Sequence, residues 1–298
     1  MFRVFAITVT YNAEPWIDKC LTSLKHSIYP LIPVVVDNGS QDCTLLRIHR
    51  DYPEVVVLEN ERNLGFGQAN NKGIRYALNH GADFVMLLNQ DAWIFDDTIE
   101  KLVAAAAPEF GIVSPVHFGE EGEELEPNFC NFLTNELLTK SFVDKIAHRS
   151  PAIYEVPFVS AAAWLLPKST LNRIGGFDPL FFHYGEDNDY CNRVLYHGLK
   201  IGIVPSAQIC HNTQRNGYMV FPGKDERFLK LHCLNLNLPE QEIIQFCKRW
   251  RFRMYAQLIR GQIKTFRREK KLYDKLTEVM SQILAHRELH QTEGQHWL

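Results

Sequence analysis

A run of five apolar residues, FVMLL at positions 84–88, constrains the fold more than any other stretch of this chain. Its length and continuity predict a strand buried on both faces, as in the interior of a parallel sheet. Asn89, Gln90 and Asp91 follow it directly. The carboxyl end of such a strand is where open α/β sheets bind ligands, and Mg²⁺ or Mn²⁺ prefers oxygen ligands there. Asp91 is therefore a candidate metal ligand, although the same three residues also suit a simple turn.

Three earlier segments repeat this pattern of a strand, a polar group of residues and a helix. Strands are predicted at 4–10, 33–36 and 55–58, and they end in TYN, DNGS and ERN. The alternation predicts an α/β fold with a doubly wound, mostly parallel sheet flanked by helices. All four polar groups then lie at one edge of the sheet, so we expect them to form one composite site.

The following part of the chain offers a second set of candidate site residues. A strand is predicted at 156–166, where the small residues Ala161 and Ala162 indicate either close approach of a ligand or of another backbone, or plain packing. Further on, FFHYGEDND at 181–189 begins a helix. Its acidic residues either stabilise the helix N-terminus or include a general base beside an acceptor hydroxyl, with nearby aromatic rings as a floor for a sugar.

Two other features have a structural and a functional interpretation. His211 follows a predicted strand at 200–204 and is either a structural residue or a metal ligand. Five glutamates occur between 120 and 126, within a predicted loop at 117–135. A charge run of this kind is typical of a solvated surface, and a mobile flap is the alternative.

Composition and motifs exclude several classes of protein. A net charge of −3 argues against nucleic acid as a partner. The seven scattered cysteines include no CxxC pair, so we expect a reducing cytoplasm rather than a disulfide framework or zinc site. The first strand lacks a following GxGxxG, and the chain has no GxxxxGK[ST], which argues against dinucleotide-binding and P-loop proteins. No stretch is apolar enough to span a bilayer.

From about residue 222 the sequence becomes helical and basic. Eleven lysines and arginines between 248 and 275 alternate with aromatic and aliphatic residues. This pattern predicts either peripheral contact with an anionic membrane or a helix that packs on the rest of the protein with a solvated basic face.

Six motifs in order resemble those of the inverting family-2 glycosyltransferases with the GT-A fold, particularly the bacterial rhamnosyltransferase-like members. They are VTYN at 9–12, DNGS at 37–40, ERNLGFGQANN at 61–71, LNQDA at 88–92, GGFD at 175–178 and FFHYGEDNDYCNR at 181–193. The resemblance covers about residues 3–215. It implies a GT-A catalytic domain over 1–220, with a nucleotide-sugar half at 1–115 and an acceptor half at 116–220, and a helical region at 221–298.

The resemblance also implies a role for each matching residue. Asp187 matches the catalytic base of the family's ED motif, and Asp91 matches the last position of its metal-binding DxD motif, with Asn89 in the first position. His211 falls where related enzymes have a second metal ligand. The implied donor-binding residues are Thr10, Tyr11, Asn12, Asp37, Arg62, Asn63, Asn89 and Gln90. The implied acceptor-binding residues are Glu186, Ala161, Ala162 and Tyr184.

The implied reaction transfers a sugar from a UDP- or dTDP-linked donor, held through Mg²⁺ or Mn²⁺, to a saccharide or lipid-linked saccharide. The implied setting is bacterial cell-surface polysaccharide or glycolipid synthesis, in the cytoplasm at the inner face of the plasma membrane. Two alternatives remain from the residues alone. One is a sugar nucleotidyltransferase, although TYNAEPW is not the glycine-rich basic loop usual after its first strand. The other is a catalytically silent sugar-binding module.

Overall fold

The computed structural model describes residues 1–131, 133–213 and 224–298. These residues form two compact units. The first contains the described residues up to 213 together with 294–298, and the second contains the described residues from 224 to 293. The predicted domain boundary at 220 and 221 lies outside the described residues.

The first half of the sheet has the predicted parallel arrangement. Its strands are β1 (Val4–Thr10), β2 (Leu31–Asp37), β3 (Val56–Glu59) and β4 (Phe84–Leu88). The helices between them are α1 (Ile17–Lys25), α2 (Thr44–Asp51) and α3 (Phe66–Asn79). The strands lie in the order β3-β2-β1-β4 and all pair in parallel. Every residue of β4 is buried, as its continuous apolar sequence predicts.

The second half of the sheet is mixed. Its strands are β5 (Ala92–Ile94), β6 (Phe110–Phe118), β7 (Tyr154–Val156), β8 (Ala163–Pro167) and β9 (Lys200–His211). Its helices are α4 (Thr98–Ala105), α5 (Pro127–Cys130), α6 (Asn135–Ile146), α7 (Lys168–Ile174) and α8 (Glu186–Tyr196). The order continues β4-β8-β6-β9-β5, with β7 also on β9. Strand β8 is antiparallel to both β4 and β6, whereas β6 and β9 are parallel. The α/β class is confirmed, and only the later strands depart from the parallel pattern.

The predicted strand at 156–166 is two strands, because residues 157–162 leave the sheet between β7 and β8. Ala161 and Ala162 lie in this connection and are buried. The carbonyl of Ala162 accepts a hydrogen bond from the backbone N–H of Asn89, at 2.9 Å. Small side chains thus occur where the connection runs beside the end of β4.

Each face of the sheet has its own hydrophobic core, because successive residues of a strand point to opposite faces. On one face, Ile7 and Leu87 pack with α3, α7 and α8. On the other face, Ala6 and Met86 pack with α1, α2 and α4. Within the described residues the sheet is therefore covered on both faces, which leaves its edges open to ligands.

Residues 294–298 pack on the turn that follows α7. The N–H of Gly176 donates to the carbonyl of His296 at 2.7 Å, and the N–H of Gly294 donates to the carbonyl of Arg173 at 3.0 Å. Gly175 has a φ of +80°, and a Cβ at this position would collide with the His296 backbone. Glycine is required here by both conformation and space, which explains the first glycine of the GGFD motif.

The second unit consists of three helices, α9 (Lys224–Leu234), α10 (Glu240–Ile259) and α11 (Ile263–His290). Helix α11 packs against both α9 and α10. On α10 the buried side chains are Ile243, Trp250 and Met254, which recur at helical spacing. Among the helices that the structure describes, none has the length and apolar character needed to cross a membrane.

Candidate active site

The ends of β1 and β2 are joined through Asp37. Its carboxylate accepts hydrogen bonds from the hydroxyls of Thr10 (2.8 Å) and Ser40 (2.6 Å) and from the backbone N–H groups of Gly39 (3.1 Å) and Ser40 (2.9 Å). Asp37 and Thr10 are both fully buried. In this structure Asp37 fixes the DNGS turn, and the residues nearer solvent are Tyr11, which is exposed, and Asn12, which is half-buried.

The end of β4 is joined to the end of β1. The side-chain carbonyl of Gln90 accepts a hydrogen bond from the backbone N–H of Tyr11 at 2.8 Å. Asn12 has a positive φ of 51°, its N–H donates to Ser40 Oγ, and its side-chain oxygen accepts from the N–H of Gln41. The polar residues that follow β1, β2 and β4 therefore form one hydrogen-bonded edge, as the strand order predicts.

Asn38, which the sequence did not single out, organises the loop after β3. Its side chain donates to Asn63 Oδ1 at 2.9 Å and accepts from the N–H of Leu64 at 2.9 Å and from Asn60 Nδ2 at 3.1 Å. Asn63 is half-buried in this network, whereas Arg62 is exposed. Of the two predicted donor-binding residues on this loop, Arg62 has the freedom to reach a ligand.

The loop after β3 is in direct contact with the segment before α8. The N–H of Phe66 donates to the carbonyl of Phe182 at 3.2 Å. Gly65 has a φ of +84°, and a Cβ there would collide with that same carbonyl, while a Cβ at Gly67 would come within 2.9 Å of Phe177. The glycines of ERNLGFG thus allow two motifs more than 100 residues apart to touch.

Helix α8 begins with the predicted acidic pair at this edge. Glu186 is buried and lies beside Gly67, whereas Asp187 is half-buried. The carboxylate of Asp187 accepts a hydrogen bond from the backbone N–H of Asn188 at 2.8 Å. Tyr184, half-buried with a φ of +65°, and Gly185, with a φ of +99°, form the tight entry to the helix.

Of the aromatic floor predicted for the sugar, only part is available. Phe182 is 59% exposed and Tyr184 is half-buried, but Phe181 is buried in the protein. Phe181 therefore belongs to the packing beneath the site, and the aromatic surface near Asp187 consists of the other two rings.

The remaining acidic residue of this helix turn has a structural role. Asp189 is buried and accepts a hydrogen bond from Arg193 Nε at 2.8 Å. The guanidinium of Arg193 also donates to the carbonyls of Ile174 and Gly176. These contacts fix α8 on the GGFD turn and so fix the position of Asp187.

The predicted metal ligands, Asp91 and His211, lie close together near the end of β4. His211 Nε2 lies 3.4 Å from Asp91 Oδ1 and 3.4 Å from Asn89 Nδ2. Their strands explain this, since Ala92 in β5 pairs with His211 in β9. Asn89 Oδ1 is buried without a hydrogen-bond partner in the described part of the chain. A carboxylate and an imidazole 3.4 Å apart, beside an asparagine whose amide oxygen has no such partner, fit a divalent cation.

Two buried residues that the sequence did not assign lie next to His211. Glu126 and His117 are both fully buried, and Glu126 Oε2 is 3.8 Å from His211 Nδ1 and 3.8 Å from His117 Nδ1. Of the two interpretations of the glutamate run, solvated surface does not apply to Glu126. Glu126 is buried because the chain after β6 turns back as a hairpin. In this hairpin the N–H of Glu126 donates to the carbonyl of His117 at 3.0 Å.

The charges around His211 favour a cation. Burial opposes charge on this imidazole, but Asp91 and Glu126 outweigh it and raise the pKa of His211 to about 9. Burial likewise opposes charge on Glu126, but His117 and His211 lower the pKa of that carboxyl to about 2. Burial lowers the pKa of His117. Two carboxylates that flank one imidazole stabilise positive charge at this place.

Two known family models match this chain. The model of a family described as "Glycosyl transferase family 2" matches residues 5–175, more than half of the chain. The model of "N-terminal domain of galactosyltransferase" matches residues 156–216. The two matches together cover the strands and loops that carry the candidate site residues.

Curated relatives are named as rhamnosyltransferases. The chain is 29% identical over 215 residues to "dTDP-rhamnosyl transferase RfbF" of Shigella flexneri, which covers 70% of this chain and 69% of the relative. It is 28% identical over 229 residues to "N-acetylglucosaminyl-diphospho-decaprenol L-rhamnosyltransferase" of Mycobacterium tuberculosis, covering 69% and 75%.

Solved structures share the fold. A mannosyltransferase from Pyrobaculum calidifontis in complex with GDP-Man and Mn²⁺ superposes with a TM-score of 0.57 at 22% identity, over 79% of this chain and 62% of that chain. S. aureus TarS 1–349 in complex with UDP-GlcNAc gives a TM-score of 0.56 at 18% identity, over 81% and 69%. At these identities the likeness concerns the GT-A fold.

Proposed function

The chain belongs to glycosyltransferase family 2, and from that premise we propose that it transfers a sugar from a nucleoside-diphosphate sugar to an acceptor hydroxyl with inversion at the anomeric carbon. The observation that carries the proposal is that two sets of candidate residues belong to the edge of the sheet where the parallel strands end. Asp91 and His211 suit a cation at the end of β4. Asp187 opens α8, whose preceding segment is bonded to the loop after β3.

Donor binding falls to the residues that follow β1, β3 and β4. Tyr11 is exposed and Asn12 is half-buried, so both can contact the donor from the end of β1. Arg62, on the loop after β3, is an exposed cation that can contact its diphosphate. Asp91 and His211, with Asn89, would hold Mg²⁺ or Mn²⁺. When bound, such an ion supplies neutralisation of the charge that develops on the departing diphosphate.

Asp187 acts as the general base in this proposal. Its carboxylate accepts the acceptor's proton as the oxygen attacks the anomeric carbon. A single displacement inverts that carbon and requires no protein nucleophile. Glu186, Tyr184 and the backbone at Ala161 and Ala162 would position the acceptor around Asp187.

The names of the relatives narrow the substrates. We propose a dTDP- or UDP-linked donor, with rhamnose as the first sugar to test, because two relatives are named as rhamnosyltransferases. We propose a saccharide or lipid-linked saccharide acceptor in the synthesis of bacterial cell-surface polysaccharide or glycolipid. Family membership speaks against a nucleotidyltransferase and against a silent binding module.

A thermal-shift screen tests the proposed donor chemistry. The probes are dTDP-rhamnose, UDP-GlcNAc and GDP-mannose, each with Mn²⁺ and each with EDTA. A ligand at about 100 times its Kd stabilises a protein by about 2.7 kcal/mol, which for a domain of this size raises Tm by roughly 5–10 °C. We expect this rise for one donor and only with Mn²⁺. Equal shifts with EDTA, or pyrophosphate release from a nucleoside triphosphate and a sugar phosphate, would contradict the proposal.

We also propose that α10 lies on an anionic membrane surface. Phe252, Tyr255 and Ile259 are exposed and recur at helical spacing, with Phe252 77% and Ile259 88% exposed. Exposed arginines flank this apolar stripe on both sides: Arg249, Arg251, Arg253 and Arg260. An apolar stripe with a basic border suits the headgroup region of an anionic bilayer. The proposed location is the cytoplasmic face of the plasma membrane.

Vesicle binding tests the membrane proposal. Replacing Arg249, Arg251 and Arg260 with glutamine removes three charges worth about 1 kcal/mol each near an anionic surface. We expect binding to phosphatidylglycerol-containing vesicles in a sedimentation assay to weaken about 100-fold. The matched control removes three exposed charges of the first unit, Lys25, Arg50 and Lys168, and should bind as the wild type does. Equal loss in both triple variants would mean that net charge alone matters.

A further inference from the structure

The two ring nitrogens of His211 face different carboxylates. Nε2 lies 3.4 Å from Asp91 Oδ1, and Nδ1 lies 3.8 Å from Glu126 Oε2. If His211 coordinates a cation beside Asp91, the nitrogen available for that bond is Nε2. The orientation of the ring then depends on what Nδ1 contacts, and in the described part of the chain that group is Glu126.

The chain positions Glu126 with several contacts. The hairpin that carries it closes through the N–H of Gly119 to the carbonyl of Glu124 at 2.8 Å. Glu120, on the same hairpin, accepts a hydrogen bond from Asn212 Nδ2 at 2.6 Å, and the N–H of Asn212 donates to the carbonyl of Asp91 at 2.9 Å. The hairpin is therefore linked on both sides of His211 to the strand ends that carry the predicted metal ligands.

The carboxylate of Glu126 is an unusual group to bury. Neither of its oxygens has a hydrogen bond of ordinary length within the described residues, and a buried charge without compensation is costly. Its neighbours are the imidazoles of His211 and His117, each 3.8 Å from the same oxygen. His117 is itself fixed, because Nε2 lies 3.2 Å from Ser114 Oγ and its ring packs on Phe129.

We propose that Glu126 is a positioning residue that accepts the Nδ1–H of His211 and thereby directs Nε2 to the cation held with Asp91, with His117 fixing the carboxylate from its other side. This inference rests on the proposed function, since it assumes that a divalent cation binds at Asp91 and His211. A histidine that binds a metal generally donates its other N–H to a carboxylate, a backbone carbonyl or water, which sets the tautomer and raises the basicity of the ligating nitrogen.

Metal affinity in the absence of turnover tests this role. Mn²⁺ binding to the full chain is measured by calorimetry in the presence of UDP or dTDP for the wild type, Glu126→Leu and Glu126→Gln. Loss of such a partner lowers metal affinity by about 10- to 100-fold. We expect this loss in Glu126→Leu and a smaller one in Glu126→Gln, whose amide oxygen still accepts a hydrogen bond. Glu124→Gln, an exposed acid of the same hairpin, should bind Mn²⁺ as the wild type does.

A second measurement separates positioning from a structural role. With ¹⁵N-labelled histidine, the wild type loaded with Mg²⁺ and nucleotide should show His211 protonated at Nδ1, and Glu126→Leu, which offers no acceptor, should lose that preference. Unchanged Mn²⁺ affinity and an unchanged tautomer in Glu126→Leu would overturn the inference and leave the proposed function intact. A second ion per chain that Glu126→Leu removes would also overturn it, in favour of a separate cation site made by His117, Glu126 and His211. If the wild type binds no divalent ion with either nucleotide, the proposed function itself fails and this inference with it.

Discussion

Replacing Asp187 with asparagine should lower kcat by about 10²- to 10⁴-fold, the usual contribution of a general base. Asparagine has the same shape, and its side-chain oxygen can still accept the hydrogen bond from the N–H of Asn188. The donor residues after β1 and β4 are not touched by the change. We therefore expect Kd for the nucleotide sugar and Tm to stay at wild-type values, so the loss appears in kcat alone.

Asp189→Asn is the contrasting variant for this prediction. It lies in the same helical turn, but its carboxylate is buried against Arg193. Breaking a buried ion pair typically costs about 3–5 kcal/mol of the free energy of unfolding. This variant should mainly lose stability, which a thermal melt measures. Near-normal kcat in Asp187→Asn would remove Asp187 from the mechanism.

Replacing Asp91 with asparagine should abolish the dependence of donor binding on Mn²⁺. The carboxylate is the charged oxygen ligand nearest to His211, and its loss leaves two amides and an imidazole. A metal that stabilises a developing diphosphate contributes several kcal/mol to catalysis, so we expect kcat/KM to fall by roughly 10²- to 10³-fold or more. Calorimetric titration of Mn²⁺ in the presence of nucleotide measures the loss of Mn²⁺ affinity separately from the loss of kcat/KM.

The control for Asp91 is Asp96→Asn, which removes an exposed carboxylate five residues further along the chain. It should leave both Mn²⁺ affinity and kcat/KM unchanged. If Asp91→Asn retains the Mn²⁺ dependence of the wild type, the cation does not bind at the end of β4. We expect Asp91→Asn to lower Mn²⁺ affinity more than the Glu126 variants do.

The local sequence predicted the first half of the fold well for a physical reason. Strands β1 and β4 agree with the predicted bounds residue for residue, because a buried strand in a parallel sheet must be apolar along its whole length. The prediction at 156–166 merged two strands, since both the connection and β8 are apolar and small residues there contact the backbone near Asn89. Apolar character is common to both, and the sequence does not say which part pairs in the sheet.

The glutamate run shows most clearly where sequence reasoning stopped. Glu123, Glu124 and Glu126 look alike in the sequence, but only the hairpin after β6 decides that the third is buried beside two histidines. Asp37 is a similar case. Its place after β2 was predictable, but its four hydrogen bonds within the protein depend on where Thr10 and the DNGS turn meet.

The sequence by itself determined the succession of the first four strands along the chain, the family motifs and the acidic residues within them, because these depend on local pattern and on residue type. The tertiary structure alone decided that Gly65 admits the backbone of Phe182, that Gly175 admits the chain at His296, and that Glu126 faces His211. Each of these contacts joins residues far apart in the chain. Their energies depend on distances that no local periodicity encodes.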